Sequence, residues 1–447
     1  MLRYGDRMKI LFAATPAAGH LNPLLAIARM VLARGDEALV ATGAYLRPSV
    51  EASGARFVPL ASGADIDFTR VEEVLPERAS LPPGPEQLRY NFERIFLDPM
   101  PPQAETLRRI IAADRPDILV VDDLFFGATA LFLDRETPRP PIVACSITIM
   151  VADRPDGAPS MIGLPPARDE ATRKIYAAMA VGADDVFGTP IRAYADAKLA
   201  AMGLPPLPCS VLHSRHLMAD AFLQTTVPAF EYDFGPLPDH VRFVGALPPP
   251  PQRDSTMPEW WHELDGSRKV VLVTQGTVAN ADFGELVEPT LAALGERDDL
   301  LVLVTTGRRP IRNVHGPIPT NARLAEFLDF AALLPKIDVL VTNGGYGTVQ
   351  LALRAGVPIV AAGRTEDKAE VGARVAWSGV GIEIPSQRPA AEDLRAAVDR
   401  VLSEPSYRKR AAAIAADMAA IDTPATILGV LDGLVIQARG TDLSANQ

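Results

Sequence analysis

His20 and Asp122 are the residues of the N-terminal half whose side chains could together move a proton. His20 follows the apolar run 9–14 and precedes a helical pattern, and Asp122 ends a second apolar run, 118–121. A histidine near a helix N-terminus tends to stay neutral, because the positive end of the helix dipole disfavours imidazolium. A carboxylate on the other ring nitrogen would orient the ring and stabilise its charge after proton uptake. The pattern predicts a general base, with Asp122 or its neighbour Asp123 as partner.

A glycine-rich turn in the C-terminal half could hold an anion. The segment 339–358 has the pattern of an apolar strand, a glycine turn and a helix that ends at Gly356. Glycines free backbone N–H groups to point at a phosphate, and a helix N-terminus adds a favourable potential. The candidate donors are Asn343, Gly344, Gly345, Gly347 and Thr348. The spacing fits neither a Walker loop nor a dinucleotide site, and a tight connection without a ligand is the alternative.

Two further turns of this half have polar groups at a strand end. Gly276 and Thr277 follow the run 269–274 and could present donors to the same anion. Glu366, Asp367 and Lys368 follow the run 359–362. Carboxylates in this position suit the hydroxyl groups of a sugar, because each oxygen accepts several O–H donors. A solvated charged loop is the alternative interpretation.

The elements that must position these residues are buried parallel strands. Continuous apolar runs that alternate with helical patterns predict an α/β fold with two doubly wound sheets, and ligands bind at the carboxyl ends of such strands. The runs are 9–14, 38–42, 118–121 and 142–147 in the first half, and 269–274, 300–305, 339–342 and 359–362 in the second. After the first run, Asn22 is the predicted N-cap and Pro23 the first residue of a helix that stops at Gly35. Gly19 would let the backbone approach a ligand closely.

Proline marks the boundary between the two predicted domains. We predict an N-terminal domain over 1–240, a linker over 241–265 that contains four consecutive prolines, and a C-terminal domain over 266–415. The tail 416–447 is predicted to be helical and to pack back on the N-terminal domain. Two irregular excursions, 81–102 and 154–168, should lie on the surface of the N-terminal domain.

Composition excludes several other classes of protein. Lys and Arg total 44 against 55 for Asp and Glu, and the resulting net charge of −11 disfavours nucleic acid as a partner. Two distant cysteines indicate a reduced, cytoplasmic protein, and neither a signal peptide nor a transmembrane segment is predicted. Asp65-x-Asp67 lies in a predicted loop and His213-x-x-His216 lacks companion ligands, so no metal site is expected.

Together these segments resemble the nucleotide-sugar-dependent glycosyltransferases of GT-B fold, the family that includes plant and macrolide-inactivating enzymes. The resemblance spans nearly the whole chain. The segment 19–23 looks like the family's Gly-His-x-x-Pro sequence, which implies that His20 activates the acceptor. The family's partner aspartate corresponds to Asp122, with Asp123 as the alternative register. By this resemblance, the excursions of the N-terminal domain would build the acceptor pocket.

The nucleotide-sugar motifs of the family are present with three departures. The Thr-His-Gly-Gly-x-x-Ser turn corresponds to 342–348, where Asn343 replaces histidine. The base-stacking Trp-x-Pro-Gln segment corresponds to 327–330, where Phe327 should still stack on a pyrimidine with less area. The sugar-reading Asp-Gln pair corresponds to Asp367 and Lys368, so an acceptor is lost and a cation is gained.

The resemblance implies transfer of a hexose or deoxyhexose, with inversion, from a UDP- or dTDP-sugar to a hydroxyl of a small-molecule natural product. The donor is a co-substrate, and neither a metal nor a permanently bound cofactor is expected. A monomer or weak homodimer is predicted. Two alternatives are a nucleotide-sugar epimerase of the same fold and a non-catalytic nucleotide-sugar binding protein.

Overall fold

A computed structural model describes residues 7–81, 84–249, 257–277 and 280–445. Five parts of the sequence-based predictions lie outside these residues: the first six residues, residues 82–83 of the excursion 81–102, residues 250–256 of the linker, residues 278–279 of the C-terminal domain, and the last two residues of the tail. The fold is α/β, with two all-parallel sheets in the described residues.

The first sheet has seven strands in the order β3-β2-β1-β4-β5-β6-β7. Its strands are β1 Lys9–Ala13, β2 Glu37–Thr42, β3 Arg56–Pro59, β4 Ile118–Asp122, β5 Ile142–Cys145, β6 Ala221–Gln224 and β7 Val241–Phe243. The apolar runs predicted as strands in this half are confirmed, because both faces of these strands are buried beneath helices. The edge strand β7 lies inside the segment 241–265 that the sequence assigns to the linker.

The second sheet has six strands in the order β10-β9-β8-β11-β12-β13. Its strands are β8 Lys269–Thr274, β9 Leu300–Thr305, β10 Ala322–Ala325, β11 Val339–Thr342, β12 Ile359–Ala362 and β13 Gly381–Ile384. The four predicted strands are again confirmed. In both sheets the strand order changes direction at the first strand of the domain. The carboxyl ends of β1 and β4, and of β8 and β11, therefore lie side by side.

Helices cover both faces of the two sheets. They are α1 Ala18–Arg34, α2 Arg47–Ala52, α3 Val71–Val74, α4 Pro85–Asn91, α5 Met100–Asp114, α6 Gly127–Leu133, α7 Glu170–Ala183, α8 Thr189–Ala201, α9 Val211–Leu217, α10 Val287–Leu294, α11 Phe330–Leu333, α12 Tyr346–Arg354, α13 Lys368–Trp377, α14 Ala391–Ser403, α15 Pro405–Ala419 and α16 Thr423–Ala445. Single π-helical turns follow α4 at Phe92–Leu97 and α7 at Asp184–Gly188.

The predicted start of α1 is wrong by five residues. The helix begins at Ala18 after an extended N-cap at Ala17, so Pro23 lies inside the helix and Asn22 does not cap it. The backbone N–H groups of His20 and Leu21 already donate to the carbonyl of Ala17, which closes the first turn before the Asn-Pro pair is reached. The predicted end is confirmed, because Gly35 has a left-handed φ of 100°.

The last two helices contact different parts of the molecule. On α15, Ala411, Ile414 and Met418 join the core of the second sheet. On α16, Ile427, Leu431 and Val435 join the core between α1 and the first sheet. The chain therefore crosses back to the first domain between the two helices, where the Thr423 hydroxyl donates to the carbonyl of Val244 at 2.6 Å.

No single helix among the described residues is long and apolar enough to cross a membrane. Only α15 and residues 423–440 of α16, taken together across a bend of 42°, reach that length and composition.

Candidate active site

His20 and Asp122 form a close pair at the carboxyl edge of the first sheet. Nδ1 of His20 lies 3.0 Å from Oδ1 of Asp122, and the Asp122 side chain has no exposed surface. The same carboxylate accepts the backbone N–H of Thr15 at 2.5 Å and of Leu124 at 2.9 Å. An ionised carboxylate only accepts, so the contact with Asp122 matches the tautomer that has its proton on Nδ1, and Nε2 is the ring nitrogen that Asp122 does not contact.

One face of the His20 ring is covered by an aromatic side chain. Phe96 lies in the π-helical turn after α4, and its ring stacks on the imidazole with a centroid separation of 5.9 Å and an interplanar angle of 29°. The His20 side chain remains 14% exposed. The imidazole is thus held on one edge by Asp122 and on one face by Phe96, and it still reaches solvent.

Asp123 is occupied elsewhere, so the structure places Asp122 and not Asp123 against His20. The Asp123 carboxylate forms a buried ion pair with the guanidinium of Arg215 and also accepts the backbone N–H of Ile147 at 3.3 Å. Burial lowers the pKa of Arg215 to about 10, although the negative charges of Asp122 and Asp367 oppose that shift. The buried cation therefore lies close to the carboxylate that orients His20.

The glycine turn after β11 leaves a helix N-terminus open. Gly344 has a φ of 91°, which glycine tolerates best, and α12 begins at Tyr346 after Gly345. No side chain in the described residues caps the first turn of α12, which contains Gly347 and Thr348. Apart from its chain neighbours and the backbone of its own helix, no described atom lies within 4 Å of a Cβ built on Gly347. The turn thus has open space beside Gly347, and the N–H groups of an uncapped first turn are a common binding site for an anion.

Asn343 joins this turn to the neighbouring one. Its Nδ2 donates to the carbonyl of Gln275 at 2.9 Å, directly before Gly276. Gly276 has a φ of 72°, and Thr277 beside it is exposed. The amide that replaces the family's histidine therefore links two loops, a structural role that the resemblance did not predict.

The loop after β12 packs against the same turn. A Cβ on Gly363 would collide with the carbonyl oxygen of Asn343, so the close approach requires glycine. The buried ammonium of Lys368 contacts Glu366, which has a φ of 58° and a half-exposed side chain. The charge of Lys368 lowers the pKa of Glu366, and His20 makes a smaller contribution in the same direction. This loop therefore places a pair of opposite charges beside the glycine turn.

Contacts across the cleft come from loops at the carboxyl edges of both sheets. Thr148, just after β5, donates its hydroxyl to the carboxylate of Asp367. Gln224, the last residue of β6, donates to the Tyr346 hydroxyl at 3.0 Å. Burial raises the pKa of Asp367 above its ordinary value, with Lys368 opposing. The sequence analysis missed Thr148 and Gln224, although a polar residue directly after an apolar run was the available signal.

Phe327 lies after β10, the outer strand of the second sheet, at the carboxyl edge of that sheet. Its side chain is 36% exposed, and the guanidinium carbon of Arg308 lies 4.2 Å from the ring centroid. One face of the ring is therefore covered by a cation that the sequence analysis did not single out.

Neither Asp65-x-Asp67 nor His213-x-x-His216 belongs to a cluster of three possible metal ligands within the described part of the chain. Asp65 accepts the backbone N–H of Ala44 at 2.9 Å, and Asp67 accepts that of Thr69 at the same distance. Both carboxylates therefore shape turns.

Comparison with known proteins agrees with this architecture. Residues 288–434 match the family described as Erythromycin biosynthesis protein CIII-like, C-terminal domain. The 4'-demethylrebeccamycin synthase of Lentzea aerocolonigenes is 39% identical over 96% of this chain and 99% of its own length. UDP-glycosyltransferase 2 of Phaeomoniella chlamydospora is 33% identical over 95% of each chain. The glycotransferase of kitacinnamycin has a TM-score of 0.71 at 21% identity, over 96% of this chain and all of its own.

Another solved structure, glycosyltransferase VinC in complex with dTDP, has a TM-score of 0.66 at 19% identity, over 96% of this chain and all of its own. The fold and the cleft therefore define an enzyme of the GT-B glycosyltransferase class. The chain belongs to the nucleotide-sugar-dependent glycosyltransferase family that includes the rebeccamycin and UDP-dependent enzymes named above. These relatives are transferases, which does not favour the epimerase or the non-catalytic binding protein.

Proposed function

We propose that the chain transfers a hexose or deoxyhexose from a UDP- or dTDP-sugar to a hydroxyl of a phenolic, polyketide or similar small molecule. The reaction proceeds with inversion, without a metal ion, and with His20 as the base. The observation that carries the proposal is the 3.0 Å contact between His20 and the buried Asp122, opposite the glycine turns of the second sheet. The names of the relatives and the dTDP complex of VinC support the choice of donors.

In the proposed reaction the acceptor hydroxyl donates to Nε2 of His20. The oxygen attacks the anomeric carbon from the face opposite the leaving group, the bond to the diphosphate oxygen breaks, and the hydroxyl proton moves to Nε2. Asp122 stabilises the imidazolium that forms. The single displacement inverts the anomeric configuration.

Backbone N–H groups stabilise the departing diphosphate in this proposal. The donors are those of the turns at Gly276 and Gly344–Thr348, together with the Thr277 and Thr348 hydroxyls, and the dipole of α12 adds to them. Glu366, Asp367 and Lys368 hold the sugar, and Phe327 stacks on the base. We expect transfer to continue in excess chelator; strict dependence on an added divalent cation would contradict this part of the proposal.

The proposal is tested by incubating the protein with UDP-glucose or dTDP-glucose and a panel of phenols and alcohols. Mass spectrometry should show a hexose adduct that depends on both substrates, and the anomeric proton coupling should show the inverted configuration. Isomerised donor in the absence of acceptor, or a product of retained configuration, would contradict it.

Nucleotide binding is expected to stabilise the fold. A ligand at 100 times its Kd that binds only the folded state adds about 2.7 kcal/mol to the free energy of unfolding. We therefore expect UDP or dTDP to raise the melting temperature in a thermal-shift assay, with AMP as the control. Equal shifts with all three nucleotides would contradict a specific pyrimidine site.

Lys368→Gln, which restores the residue type of the family motif, is expected to weaken donor binding about tenfold. The lysine is buried and contacts Glu366, so its removal leaves that carboxylate without this cation in the proposed sugar site. The KM for the donor should rise while the KM for the acceptor stays unchanged. Lys336→Gln, a lysine in the turn before β11, is the control.

A further inference from the structure

Glu370 joins the two sides of the cleft through backbone groups of an N-terminal loop. It lies in the first turn of α13, and its side chain is buried. One carboxylate oxygen, Oε1, accepts the N–H of Ile162 and the N–H of Gly163, both at 3.1 Å. A carboxylate that accepts two consecutive backbone N–H groups fixes the path of the chain that carries them. Here that chain belongs to the other domain, more than 200 residues away.

The loop has a backbone that allows this close approach. Gly163 has a φ of 71°, and a Cβ at this position would lie 2.5 Å from the carbonyl oxygen of Ala369. Met161 also has a positive φ, 74°, and its side chain packs against the core of the second sheet. The loop therefore fits against the start of α13 at three consecutive residues, with glycine at the tightest point.

The other oxygen of Glu370 is held by a buried cation. Oε2 accepts from Nη1 of Arg374 at 2.6 Å, one helical turn further along α13. Arg374 also contacts Glu231 of the N-terminal domain at 2.5 Å. Both oxygens of Glu370 are thus committed, which restricts the side chain to one orientation and so restricts where the loop can dock.

The same helical turn carries the residues proposed to bind the donor sugar. Asp367 and Lys368 precede Glu370 by three and two residues, and Thr148 of the N-terminal domain already contacts Asp367. The docked segment 161–163 belongs to the excursion 154–168 that we expect to border the acceptor. Movement of this loop would therefore change the distance between an acceptor on one side and the sugar on the other.

We propose that Glu370 is a positioning residue that holds the segment 161–163 against α13, and that tight acceptor binding depends on this contact. The inference rests on the proposed function, because it assigns the loop to the acceptor side of that site. Glu370 contacts backbone N–H groups of the loop and the guanidinium of Arg374, so its effect on the reaction is exerted through the loop.

Two substitutions at Glu370 separate backbone docking from charge. Glu370→Ala removes the acceptor of both N–H groups and is expected to raise the acceptor KM about tenfold, with the Kd for UDP or dTDP unchanged. Glu370→Gln keeps one oxygen for the two N–H groups, while its amide nitrogen no longer accepts from Arg374, which retains Glu231. Because the loop keeps its acceptor, the acceptor KM should stay within about threefold of the parent enzyme. Gly163→Ala disturbs the same contact from the loop side and should reproduce the effect of Glu370→Ala.

Arg354→Gln is the matched control for loss of a contact between the C-terminal domain and the linker. Nη1 of Arg354, the last residue of α12, donates to the carbonyl of Ala246 at 2.8 Å, away from the 161–163 segment. Its acceptor KM should be unchanged. An equal rise in the acceptor KM of Arg354→Gln, or a rise in the Kd of Glu370→Ala for UDP or dTDP, would show general loosening of the domains and overturn the inference.

Hydrogen exchange supplies a readout that does not require turnover. The amides of Ile162 and Gly163 should exchange at least about tenfold faster in Glu370→Ala than in the parent protein, and near the parent rate in Glu370→Gln. Unchanged exchange or an unchanged acceptor KM in Glu370→Ala would overturn the inference. If the parent protein transfers no sugar, the proposed function fails, while faster exchange in Glu370→Ala would still support the docking contact.

Discussion

His20→Ala is expected to lower kcat for transfer to an alcohol by about 10²–10⁴-fold, the usual contribution of a general base. The imidazole is the group proposed to take the acceptor proton, and no other basic side chain in the described residues contacts Asp122 at hydrogen-bond distance. The fold should survive, because the His20 ring lies at the carboxyl edge of the sheet, stacks on Phe96 and keeps access to solvent. The measurement is single-turnover transfer at saturating donor and acceptor, together with the Kd for UDP or dTDP, which should not change.

His315→Ala provides the matched control. This histidine is 81% exposed, lies beside Glu288, and is not among the residues proposed to bind either substrate. Its rate should equal that of the parent enzyme.

Adding Asp122→Asn to His20→Ala should lower the rate little more than His20→Ala alone, because the effects of residues that act as one unit are strongly non-additive. Near-normal transfer by His20→Ala would end the assignment of His20 as the base.

The His20–Asp122 pair could be predicted because it depends on neighbouring strands. β1 and β4 are adjacent and in register, with Ala13 opposite Val121, so residues that follow the two strands meet at one edge. The strands themselves were predictable because their apolar runs are buried on both faces. The five missed strands are short, and β3, β7, β10 and β13 have partly exposed residues and lack a continuous apolar signal.

The contacts between the domains could not be predicted from the sequence in the same manner. Thr148 meets Asp367, and Glu231 meets Arg374, only because the two sheets face each other at a particular angle. Hydrophobic periodicity sets each sheet separately and contains no information about that angle. The wrong start of α1 has a local cause: the Asn-Pro pair resembles a helix start, but the turn at Ala17 already provides one.

The ion cluster around Arg374 gives the largest expected effect on stability. Arg374 is 1% exposed, and its guanidinium contacts Glu231 at 2.5 Å, Glu370 at 2.6 Å and the carbonyl of Met150 at 3.1 Å. Its carbon lies 4.2 Å from the centroid of the Tyr232 ring. Burial alone would lower the pKa of Arg374, but the two carboxylates outweigh burial and hold it above the ordinary range. The cluster joins groups of both domains around one cation.

Arg374→Met is expected to lower the free energy of unfolding by about 3–5 kcal/mol, because it leaves two buried carboxylates without a cation. Calorimetry should show a fall in melting temperature. Arg400→Met, which breaks the exposed pair with Glu404, should cost no more than about 1 kcal/mol. A loss in Arg374→Met as small as that of the exposed pair would contradict the proposed importance of the cluster.

The dependence of this loss on pH identifies its electrostatic origin. Burial already raises the pKa of Glu231, and Arg374 opposes that rise, so its removal should raise the pKa further. A carboxyl whose pKa is higher in the folded than in the unfolded protein takes up a proton on folding, and stability then falls as pH rises through the folded pKa. The deficit of Arg374→Met relative to the parent should therefore shrink as pH is lowered from 7 towards the ordinary range of glutamate. Glu231→Gln, added to Arg374→Met, should recover part of the loss at neutral pH and weaken this dependence, whereas a deficit independent of pH would point to lost packing against Tyr232.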